Sequence, residues 1–286
     1  MKERESGSMT TKPTTAGAAS ITAAMLPRDT PLTGASLSWP IGPAAPSLPD
    51  AEVHLWCACL EDLTPHRPAF ERMLSSEERA RAARYRLDRN RDRFLMGRGL
   101  LRSILGQYLD IEPACLDFAY ESRGKPVLTR GGPALHFNLS HSGDLSLLAV
   151  ARAAPVGADL EQLRPLPDID RISATFFSAH ENVELQAMPQ EQKLEGFFNG
   201  WTRKEAYLKA TGQGITELGD QVEVSLTPGA PARILRIAGD AQAASHWSLH
   251  CFSPAPGFIG ALAIQRSEVK PAFWQWPVNR AQSLSR

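Results

Sequence analysis

The spacing of apolar positions changes along the chain, and each spacing predicts one kind of element. The segment AEVHLWCACL, residues 51–60, is rich in apolar and aromatic residues and predicts a strand. The segment SSEERARAARY has acids in its first turn and Ser75 or Ser76 as N-cap, so it predicts a short helix. RDRFLMGRGLLRSILGQYL predicts a second helix, whose apolar stripe is Phe94, Leu101, Ile104, Leu105 and Tyr108.

After these helices, the sequence predicts short strands, then a helical block, and then further strands. The first strands are predicted at CLDFAY, KPVLT, ALHFNLS, LSLLAV and PVGADLE. A helical block follows from Asp168 to Ala210, and the later strands are predicted at QVEVSL, ARILRI, HWSLHCF and FIGALAIQ. This order predicts an α+β fold whose two α+β halves meet near residues 155–162.

The domain boundaries follow from this pattern. We expect an N-terminal α+β subdomain at 51–155 and a C-terminal α+β subdomain at 156–267. Residues 1–50 are rich in Ala, Thr, Ser and Pro without sustained periodicity, and they predict a disordered or extended tail. Residues 268–286 predict a second tail, whose aromatic residues pack on the body of the protein.

Composition and charge narrow the class of protein. Of the 286 residues, 43% are hydrophobic and 22% are charged, which is typical of a soluble globular protein. The 31 basic and 31 acidic residues cancel, so no overall field attracts nucleic acid. No apolar run approaches the roughly 20 residues needed to span a membrane. The four cysteines lack a disulfide spacing, and together these features predict a cytoplasmic protein.

The segment WTRKEAYLKATGQG, residues 201–214, places charges on an apolar helix face. Helical spacing brings Glu205 and Lys209 to the same side as Trp201 and Leu208. The simplest interpretation is an exposed i, i+4 pair, which contributes roughly 0.2–0.5 kcal/mol. A glycine after the helix, Gly212 or Gly214, supplies the left-handed C-cap.

The segment PVGADLE, residues 155–161, places two carboxylates on one face of a strand. Asp159 and Glu161 point opposite to the apolar residues and lie about 7 Å apart by strand rise. This span suits one hard cation, and Mg²⁺ binds through one or two carboxylates plus substrate phosphates. Glu205 then completes the site as a third acid, and Lys209 faces a phosphate oxygen. The alternative is a solvated strand face.

Two further segments indicate phosphate binding. In RGKP, residues 123–126, Lys125 precedes Pro126 and is presented on extended backbone. In FNLSHSGD, residues 137–144, Ser140 and His141 end a strand and suit hydrogen bonding to phosphate. A serine-hydrolase site is not indicated, because adjacent side chains on a strand point apart and no GxSxG elbow is present.

The arginine-rich run RARAARYRLDRNRDRF, residues 79–94, has two interpretations. Acidic residues within and beside this run reduce its net positive charge, which favours a solvated helical face. A local anion site for a nucleotide phosphate is the other interpretation. The chain contains no P-loop and no GxGxxG motif.

Together, VGADLE, WTRKEAYLKATGQG, RGKP and FNLSHS resemble the 4'-phosphopantetheinyl transferases of the large, surfactin-synthetase-activating type. The resemblance covers roughly residues 70–215, with the motifs in the same order. It implies transfer of the phosphopantetheine arm of coenzyme A to a serine of an apo acyl or peptidyl carrier protein. The other product is adenosine 3',5'-bisphosphate, and the metal is Mg²⁺ or Mn²⁺. Nucleic acid and membrane partners are not implied.

The resemblance also implies roles for residues at the acidic end of the site. Asp159, Glu161 and Glu205 match the acidic positions that bind Mg²⁺, and Asp159 is therefore counted as catalytic. Glu205 is also a candidate base for the carrier serine, with a metal-activated water as the alternative. Lys209 matches the lysine that contacts the transferring phosphate.

At the nucleotide end, Lys125 and Pro126 match the segment that lines the adenine. Ser140 and His141 match residues that meet the nucleotide phosphates, with His141 toward the 3'-phosphate. Arg81 falls where the family often has a basic residue for that phosphate. Two departures are present: Phe94 replaces a small hydroxyl residue of some members, and Ala158 replaces a β-branched one.

The implied architecture is two similar α+β subdomains in one chain, a pseudo-dimeric monomer with the active site in the cleft between them. Carrier docking is expected on apolar residues near the cleft, with these candidates: Phe176, Phe177, Met188 and Leu194. Two other functions compete: a Mg-dependent CoA pyrophosphate hydrolase, and a nucleotide- or nucleic-acid-binding module that uses the arginine-rich helix at 79–93. A catalytically silent member is disfavoured by the intact acidic triad.

Overall fold

The helices and strands follow the predicted order in a computed structural model that describes residues 37–121, 124–129, 135–152 and 154–277. Over these residues the helices are α1 (Arg67–Met73), α2 (Ser76–Ala83), α3 (Asp88–Leu109), α4 (Ile169–Phe176), α5 (Ala179–Ala187), α6 (Gln190–Thr211), α7 (Ile215–Leu218) and α8 (Ala241–Ala244). The strands are β1 (Glu52–Cys59), β2 (Phe118–Tyr120), β3 (Pro126–Leu128), β4 (His136–Ser142), β5 (Leu145–Ala151), β6 (Val156–Gln162), β7 (Val222–Val224), β8 (Ile234–Ile237), β9 (Ser248–Phe252), β10 (Phe258–Ile264) and β11 (Lys270–Gln275). The fold is therefore α+β, as the sequence predicts.

A four-stranded sheet has the order β11–β1–β5–β4. β1 pairs antiparallel with β5 and parallel with β11, so it lies inside the sheet. Its side chains alternate between two cores: Val53, Leu55 and Cys57 pack into one, and Trp56 and Ala58 pack into the other. Burial on both faces explains why this strand is apolar throughout.

The two ends of the described chain differ from the expected tails. β11 is a strand of the first sheet, paired with β1 from Glu52↔Lys270 to Cys57↔Gln275. Trp39 and Leu48, within the expected N-terminal tail, are buried in the cores. Both ends are ordered by backbone partners and apolar contacts from distant parts of the chain, which local periodicity does not reveal. Residues 1–36 lie outside the described residues, and the other boundaries stay predictions.

A second sheet, β6–β10–β9, is antiparallel, and α6 packs against its first two strands. α6 ends as expected: Gly212 is left-handed with φ 76°, and its N–H donates to the carbonyl of Leu208. At the start of α2, Ser75 and Glu78 form a reciprocal capping box, which confirms the predicted N-cap. Two short hairpins, β2–β3 and β7–β8, complete the sheets.

The apolar residues proposed for carrier docking belong to a core. Phe176 and Phe177 are buried in the cluster under α6, and Met188 and Leu194 are partly buried against the same cluster. These side chains pack within the core, so they are not a free docking surface.

The cysteines are unpaired, as expected: Cys57 and Cys59 are buried, and Cys115 and Cys251 are exposed. Among the helices described, none combines the length and the apolar character that crossing a membrane requires.

Candidate active site

The acidic face of β6 is inside the protein. Asp159 is only 4% exposed and Glu161 only 9%, so the alternative of a solvated strand face is wrong. Strand β4 lies alongside and supplies hydroxyl donors: Ser140 donates to Asp159 Oδ1 (3.0 Å), and Ser142 donates to Glu161 Oε2 (2.8 Å). Arg164 donates to the same oxygen of Glu161 at 3.1 Å. Each carboxylate is therefore held by named donors.

Three alternate residues of β4, Asn138, Ser140 and Ser142, tie this strand to β6. Besides Ser140, the amide oxygen of Asn138 accepts from the backbone N–H of Ala158 (2.9 Å). The hydroxyl of Ser142 accepts from the backbone N–H of Gln162 (3.0 Å). Side chains thus join the first sheet to the second. Sequence reasoning missed Asn138 and Ser142, although the period-two polar positions of HFNLSHS carried the signal.

Lys209 connects α6 to the acidic strand. Its ammonium donates to Asp159 Oδ1 (2.5 Å) and to the hydroxyl of Ser140 (3.1 Å). Burial opposes the charge of Lys209, but the carboxylates of Asp159 and Glu205 outweigh it and raise its pKa. The interpretation of Lys209 as one half of an exposed helix pair is therefore wrong, since its hydrogen-bonded partner lies on another element.

Glu205 and Glu161 are carboxyl groups with raised pKa values. Loss of water raises the pKa of Glu205 to about 7; Lys209 opposes this rise, and the charges of Asp159 and Glu161 add to it. Burial, followed by the charge of Asp159, raises the pKa of Glu161 to about 6 against the effect of Arg164. The three carboxyl groups therefore lie close enough to interact electrostatically.

The donor set suits a hard divalent cation. Asp159 Oδ2 is buried and has no hydrogen-bond partner among the described residues. Carboxylate oxygens are the ligands that Mg²⁺ takes, one or two of them being sufficient when substrate phosphates complete the shell. Within the described ranges, however, no three His, Cys, Asp or Glu side chains are already arranged to hold a metal ion. The residue types fit Mg²⁺, and a three-carboxylate ligand set requires side-chain movement.

Gly157 lets β6 approach α6 closely. A Cβ built on Gly157 would lie 2.0 Å from the carbonyl oxygen of Ala206 and 2.3 Å from the backbone nitrogen of Ala210. Because these are backbone atoms of a helix, a side chain at this position must push the strand away from the helix. The missing side chain therefore sets the separation between Asp159 on β6 and Lys209 on α6.

Replacing Gly157 with alanine is expected to lower the free energy of unfolding by about 1–3 kcal/mol, the usual cost of overpacking. The measurement is urea denaturation followed by circular dichroism. Gly97→Ala is the matched control, because its added Cβ would find only Leu139, at 3.9 Å. Equal stability of the two variants would show that the helix and strand separate without cost.

A cavity of about 570 Å³ adjoins the acidic residues. Its lining includes five residues that the sequence predicted: Arg81, Lys125, Pro126, His141 and Lys209. Lys209 therefore lines the cavity and also binds Asp159. Lys209 therefore connects the cationic lining of the cavity with the acidic strand β6.

Ser140 and His141 point to different environments, as expected for neighbours on a strand. Ser140 is buried and turned to Asp159, whereas His141 is open to the cavity. Desolvation, followed by the positive charges of Lys209 and Arg93, lowers the pKa of His141. His141 thus lies among cations beside the cavity, and the hydroxyl of Ser140 already has a protein partner.

Lys125 is bound to the end of α6. Its ammonium donates to the carbonyl oxygen of Lys209 (2.6 Å), where the helix dipole favours a cation. Burial lowers the pKa of Lys125, and Glu121 opposes this shift. Arg123, the first residue of the RGKP segment, lies outside the described residues.

Three arginines of the arginine-rich run form ion pairs with acids of the same chain. Arg89 and Arg93 both donate to Asp144 Oδ1, at 3.1 and 2.7 Å, and thereby fix the β4–β5 turn to α3. The two guanidinium groups hold the pKa of Asp144 below its usual value in spite of burial. Arg91 pairs with Asp88 at 2.8 Å. These pairs leave fewer cations for nucleic acid than the sequence suggests.

Lys204, in the same motif as Glu205, has a structural contact. Its ammonium lies 2.6 Å from Glu181 Oε2 and also donates to the carbonyl oxygens of Gly219 and Val222. The side chains of Lys204 and Glu181 are both 0% exposed. The charges in WTRKEAYLKATGQG therefore separate into a buried structural pair and a group beside the cavity.

Two family models match successive parts of the chain. The family model described as "4'-phosphopantetheinyl transferase superfamily" matches residues 155–264. A second model, "4'-phosphopantetheinyl transferase, N-terminal", matches residues 63–153. The junction between the two matches falls between β5 and β6.

Curated relatives match between 50% and 84% of the chain. The 4'-phosphopantetheinyl transferase HetI of Nostoc sp. (strain PCC 7120 / SAG 25.82 / UTEX 2576) is 42% identical over 241 residues, covering 84% of this chain and 98% of HetI. The 4'-phosphopantetheinyl transferase psf-1 of Bacillus pumilus is 42% identical over 143 residues, covering 50% of this chain and 60% of psf-1. The 4'-phosphopantetheinyl transferase Sfp of Bacillus subtilis (strain 168) is 29% identical over 157 residues, covering 55% of this chain and 68% of Sfp. The chain belongs to the 4'-phosphopantetheinyl transferase superfamily, a family of transferases.

Proposed function

We propose that the protein transfers 4'-phosphopantetheine from coenzyme A to a serine of an apo acyl or peptidyl carrier protein. The observation that carries this proposal is the contact of Lys209 with Asp159 at the edge of a cavity lined by cations. A pyrophosphate in this cavity meets positive charge on one side and a Mg²⁺-type donor set on the other. The similarity to HetI and Sfp supports transfer over hydrolysis or nucleic-acid binding.

The chemical step is a displacement at phosphorus. The carrier serine oxygen forms a bond to the phosphorus that bears the pantetheine arm, and the bond to the bridging pyrophosphate oxygen breaks. Adenosine 3',5'-bisphosphate leaves with the electron pair of that bond. The serine proton passes to a base, so the chain must supply an acceptor for it.

Asp159, Glu161 and Glu205 would hold the metal. A Mg²⁺ or Mn²⁺ ion bound there supplies positive charge that offsets the charge developing on the phosphate oxygens. Asp159 would contribute Oδ2, which has no hydrogen-bond partner among the described residues, and Ser142 and Arg164 would orient Glu161. The orienting hydrogen bonds reduce the rearrangement that ion binding requires.

Glu205 is suited to accept the serine proton. Its pKa of about 7 allows it to be ionised before the step and protonated after it near neutral pH. A carboxylate held tightly by a cation is a weaker base, so a metal-activated water is the alternative acceptor. Lys209 stabilises charge on the transferring phosphate from the cavity side.

The nucleotide part of coenzyme A would occupy the cationic part of the cavity. Lys125, Pro126, His141 and Arg81 line this cavity. In this proposal, Lys125 and Pro126 contact the adenine, and His141 and Arg81 bind the 3'-phosphate. Ser140 supports Asp159 and Lys209, and its predicted contact with the nucleotide phosphates requires a change of partner.

We also propose a monomer built as a pseudo-dimer, with this site in the cleft between two α+β subdomains. β4 and β6 of one chain supply Ser140 and Asp159 in direct contact, which supports a site complete within a single chain.

The test of the proposed function is intact-mass spectrometry of a panel of apo carrier proteins incubated with the enzyme, coenzyme A and Mg²⁺. We expect at least one carrier to gain about 340 Da, the mass of the transferred phosphoryl arm. A chelator should abolish the gain, and added Mg²⁺ or Mn²⁺ should restore it.

Two outcomes support the competing functions. Cleavage of coenzyme A without a mass gain on any carrier identifies a pyrophosphate hydrolase. RNA or DNA binding that weakens steeply with salt, with coenzyme A unchanged, identifies a nucleic-acid-binding module.

A further inference from the structure

The two larger sheets meet at β4 and β6 without a shared backbone ladder. Each of these strands is the last of its sheet and pairs its backbone on one side only, β4 with β5 and β6 with β10. Among the described residues, every hydrogen bond across this junction involves a side chain of β4. We call these side chains the β4–β6 seam: Asn138, Ser140 and Ser142. The junction therefore depends on side chains that can be changed one at a time.

The β4–β6 seam supplies acceptors for two backbone N–H groups on the open edge of β6. Asn138 Oδ1 accepts from the N–H of Ala158 (2.9 Å), and Ser142 Oγ accepts from the N–H of Gln162 (3.0 Å). Ala158 and Gln162 are both buried, so water has little access to these groups. A buried N–H without a partner costs free energy comparable to a lost hydrogen bond. Asn138 and Ser142 therefore stabilise the approach of β6 to β4.

These two N–H groups lie on either side of the acidic pair. Ala158 directly precedes Asp159, and Gln162 directly follows Glu161. The hydrogen bond of Asn138 therefore fixes β6 one residue before its first carboxylate. Because side chains alternate between the two faces of a strand, a movement of the backbone at this point changes the direction of both carboxylates.

Asn138 differs from the two serines of the β4–β6 seam. Ser140 donates to Asp159 and Ser142 donates to Glu161, whereas the hydrogen bond of Asn138 is to the backbone alone. Asn138 also lines the cavity. Two roles are therefore open to it, one through the backbone of β6 and one by direct contact with a ligand, and the first is the role for which the structure contains a hydrogen bond.

We propose that Asn138 is a positioning residue for the cation site: its Oδ1 holds β6 at Ala158, so that Asp159 and Glu161 direct oxygens to one cation. This inference rests on the proposed function, from which the metal-binding role of the two acids comes. Residues that hold metal ligands in place from outside the coordination shell typically contribute about 10–100-fold to metal affinity or activity. Asn138 therefore affects cation binding without touching the cation.

The test compares Asn138→Thr with Asn138→Val. Both variants remove the amide nitrogen, and both introduce β-branched side chains of nearly the same shape, which suit a strand. Only threonine retains an oxygen that can accept from the N–H of Ala158, as the hydroxyl of Ser142 does for Gln162 at the other end of the seam. The pair therefore isolates the acceptor oxygen from any contact that the amide nitrogen makes.

The measurement is Mn²⁺ binding to the full chain without coenzyme A, from the electron paramagnetic resonance signal of the free ion. Asn138→Val should raise the Mn²⁺ concentration at half-saturation about tenfold, and Asn138→Thr should keep it within about threefold of the wild type. Amide hydrogen exchange at Ala158 should be faster in the valine variant than in the threonine variant. Binding of adenosine 3',5'-bisphosphate without metal should be the same in both variants and in the wild type.

Asn199→Leu is the matched control for the loss of a buried asparagine. Asn199 is 2% exposed, and its Nδ2 donates to the carbonyl oxygen of Leu226 (3.0 Å), which joins α6 to the segment after β7. This change should lower stability and leave Mn²⁺ binding unchanged. If Asn138→Val does not fold, Asn138→Ser and Asn138→Ala form a second pair that differs by the same oxygen, with the same expected difference.

Two results would overturn the positioning role. Equal Mn²⁺ binding by the threonine and valine variants would show that the acceptor oxygen does not matter. Weaker binding of the bisphosphate, to the same extent in both variants, would instead assign Asn138 to direct contact with the ligand.

The mass assay on carriers distinguishes this inference from the proposed function. A wild type that modifies a carrier but binds no Mn²⁺, or whose two variants bind Mn²⁺ equally, retains the proposed function and lacks the positioning role. A wild type that modifies no carrier, but whose variants bind Mn²⁺ in the expected order, retains the role of Asn138 and lacks the proposed function.

Discussion

Replacing Asp159 with asparagine is expected to lower the rate of phosphopantetheine transfer by about 10²–10³-fold, the range for removing one preorganised charged group from an active site. Asparagine retains the oxygen that accepts from Ser140 and Lys209, but it removes the negative charge that the cation requires. The measurement is the initial rate of carrier modification at saturating coenzyme A and Mg²⁺, with far-UV circular dichroism to establish that the variant is folded.

Asp170→Asn is the matched control for this experiment. Asp170 is an exposed acid on α4, so the same change there should leave the rate within about threefold. An Asp159→Asn variant that retains the wild-type rate would remove Asp159 from the catalytic group. Titration with Mg²⁺ adds a second readout, because loss of a ligand should raise the concentration that gives half-maximal rate.

The second large effect is expected on stability, from the buried pair of Glu181 and Lys204. Replacing Lys204 with methionine leaves a fully buried carboxylate without its cation. Breaking one side of such a pair costs about 3–5 kcal/mol. Since small domains are stable by only about 5–15 kcal/mol, this variant should unfold at much lower urea concentration. The measurement is the free energy of unfolding from urea titration.

Glu181→Gln is the reciprocal variant. Glu181 also accepts from the backbone N–H groups of Ser178 and Val224, at 2.7 and 2.8 Å, so it joins the start of α5 to β7. Burial raises the pKa of Glu181 and lowers that of Lys204, which shows that both charges are costly to bury. The double variant should therefore lose less stability than the sum of the single losses. Additive losses, or a single loss below about 1 kcal/mol, would contradict a coupled buried pair.

The Glu181–Lys204 pair lies close in sequence to the active site, because Lys204 directly precedes Glu205 on α6. Lys209 lies five positions after Lys204, which turns their side chains about 140° apart on a helix. One face of α6 is consequently fixed in the core, and another presents Glu205 and Lys209 toward β6. A stability loss at Lys204 should therefore come with loss of activity only when the helix itself unfolds.

Some features of the site were predictable because they depend on nearby residues. The capping box at Ser75 and the left-handed Gly212 involve interactions within a single turn. The common face of Asp159 and Glu161 follows from the period of a strand. The four motifs, in their order, led to the family that the comparisons established.

Other features were not predictable because they join distant parts of the chain. The hydroxyl of Ser142 meets Glu161 only because β4 lies beside β6. Arg98 occupies an apolar stretch of α3, yet it lines the cavity with its guanidinium carbon 5.3 Å from the ring centre of Tyr120, which belongs to another element. The placement of Phe176 in the core, where docking was expected, follows from the packing of α4 against α6.

The sequence by itself determined the α+β class, most helix and strand positions, and the residue types around a phosphate and a cation. It did so because helix caps, strand alternation and motif spacing are set by residues within a few positions of one another. Only the tertiary structure decided that β11 joins β1, that Lys204 is buried while Lys209 lines the cavity, and that Arg98 faces it. These outcomes depend on pairing and burial between residues that are far apart in the chain, for which local periodicity carries no signal.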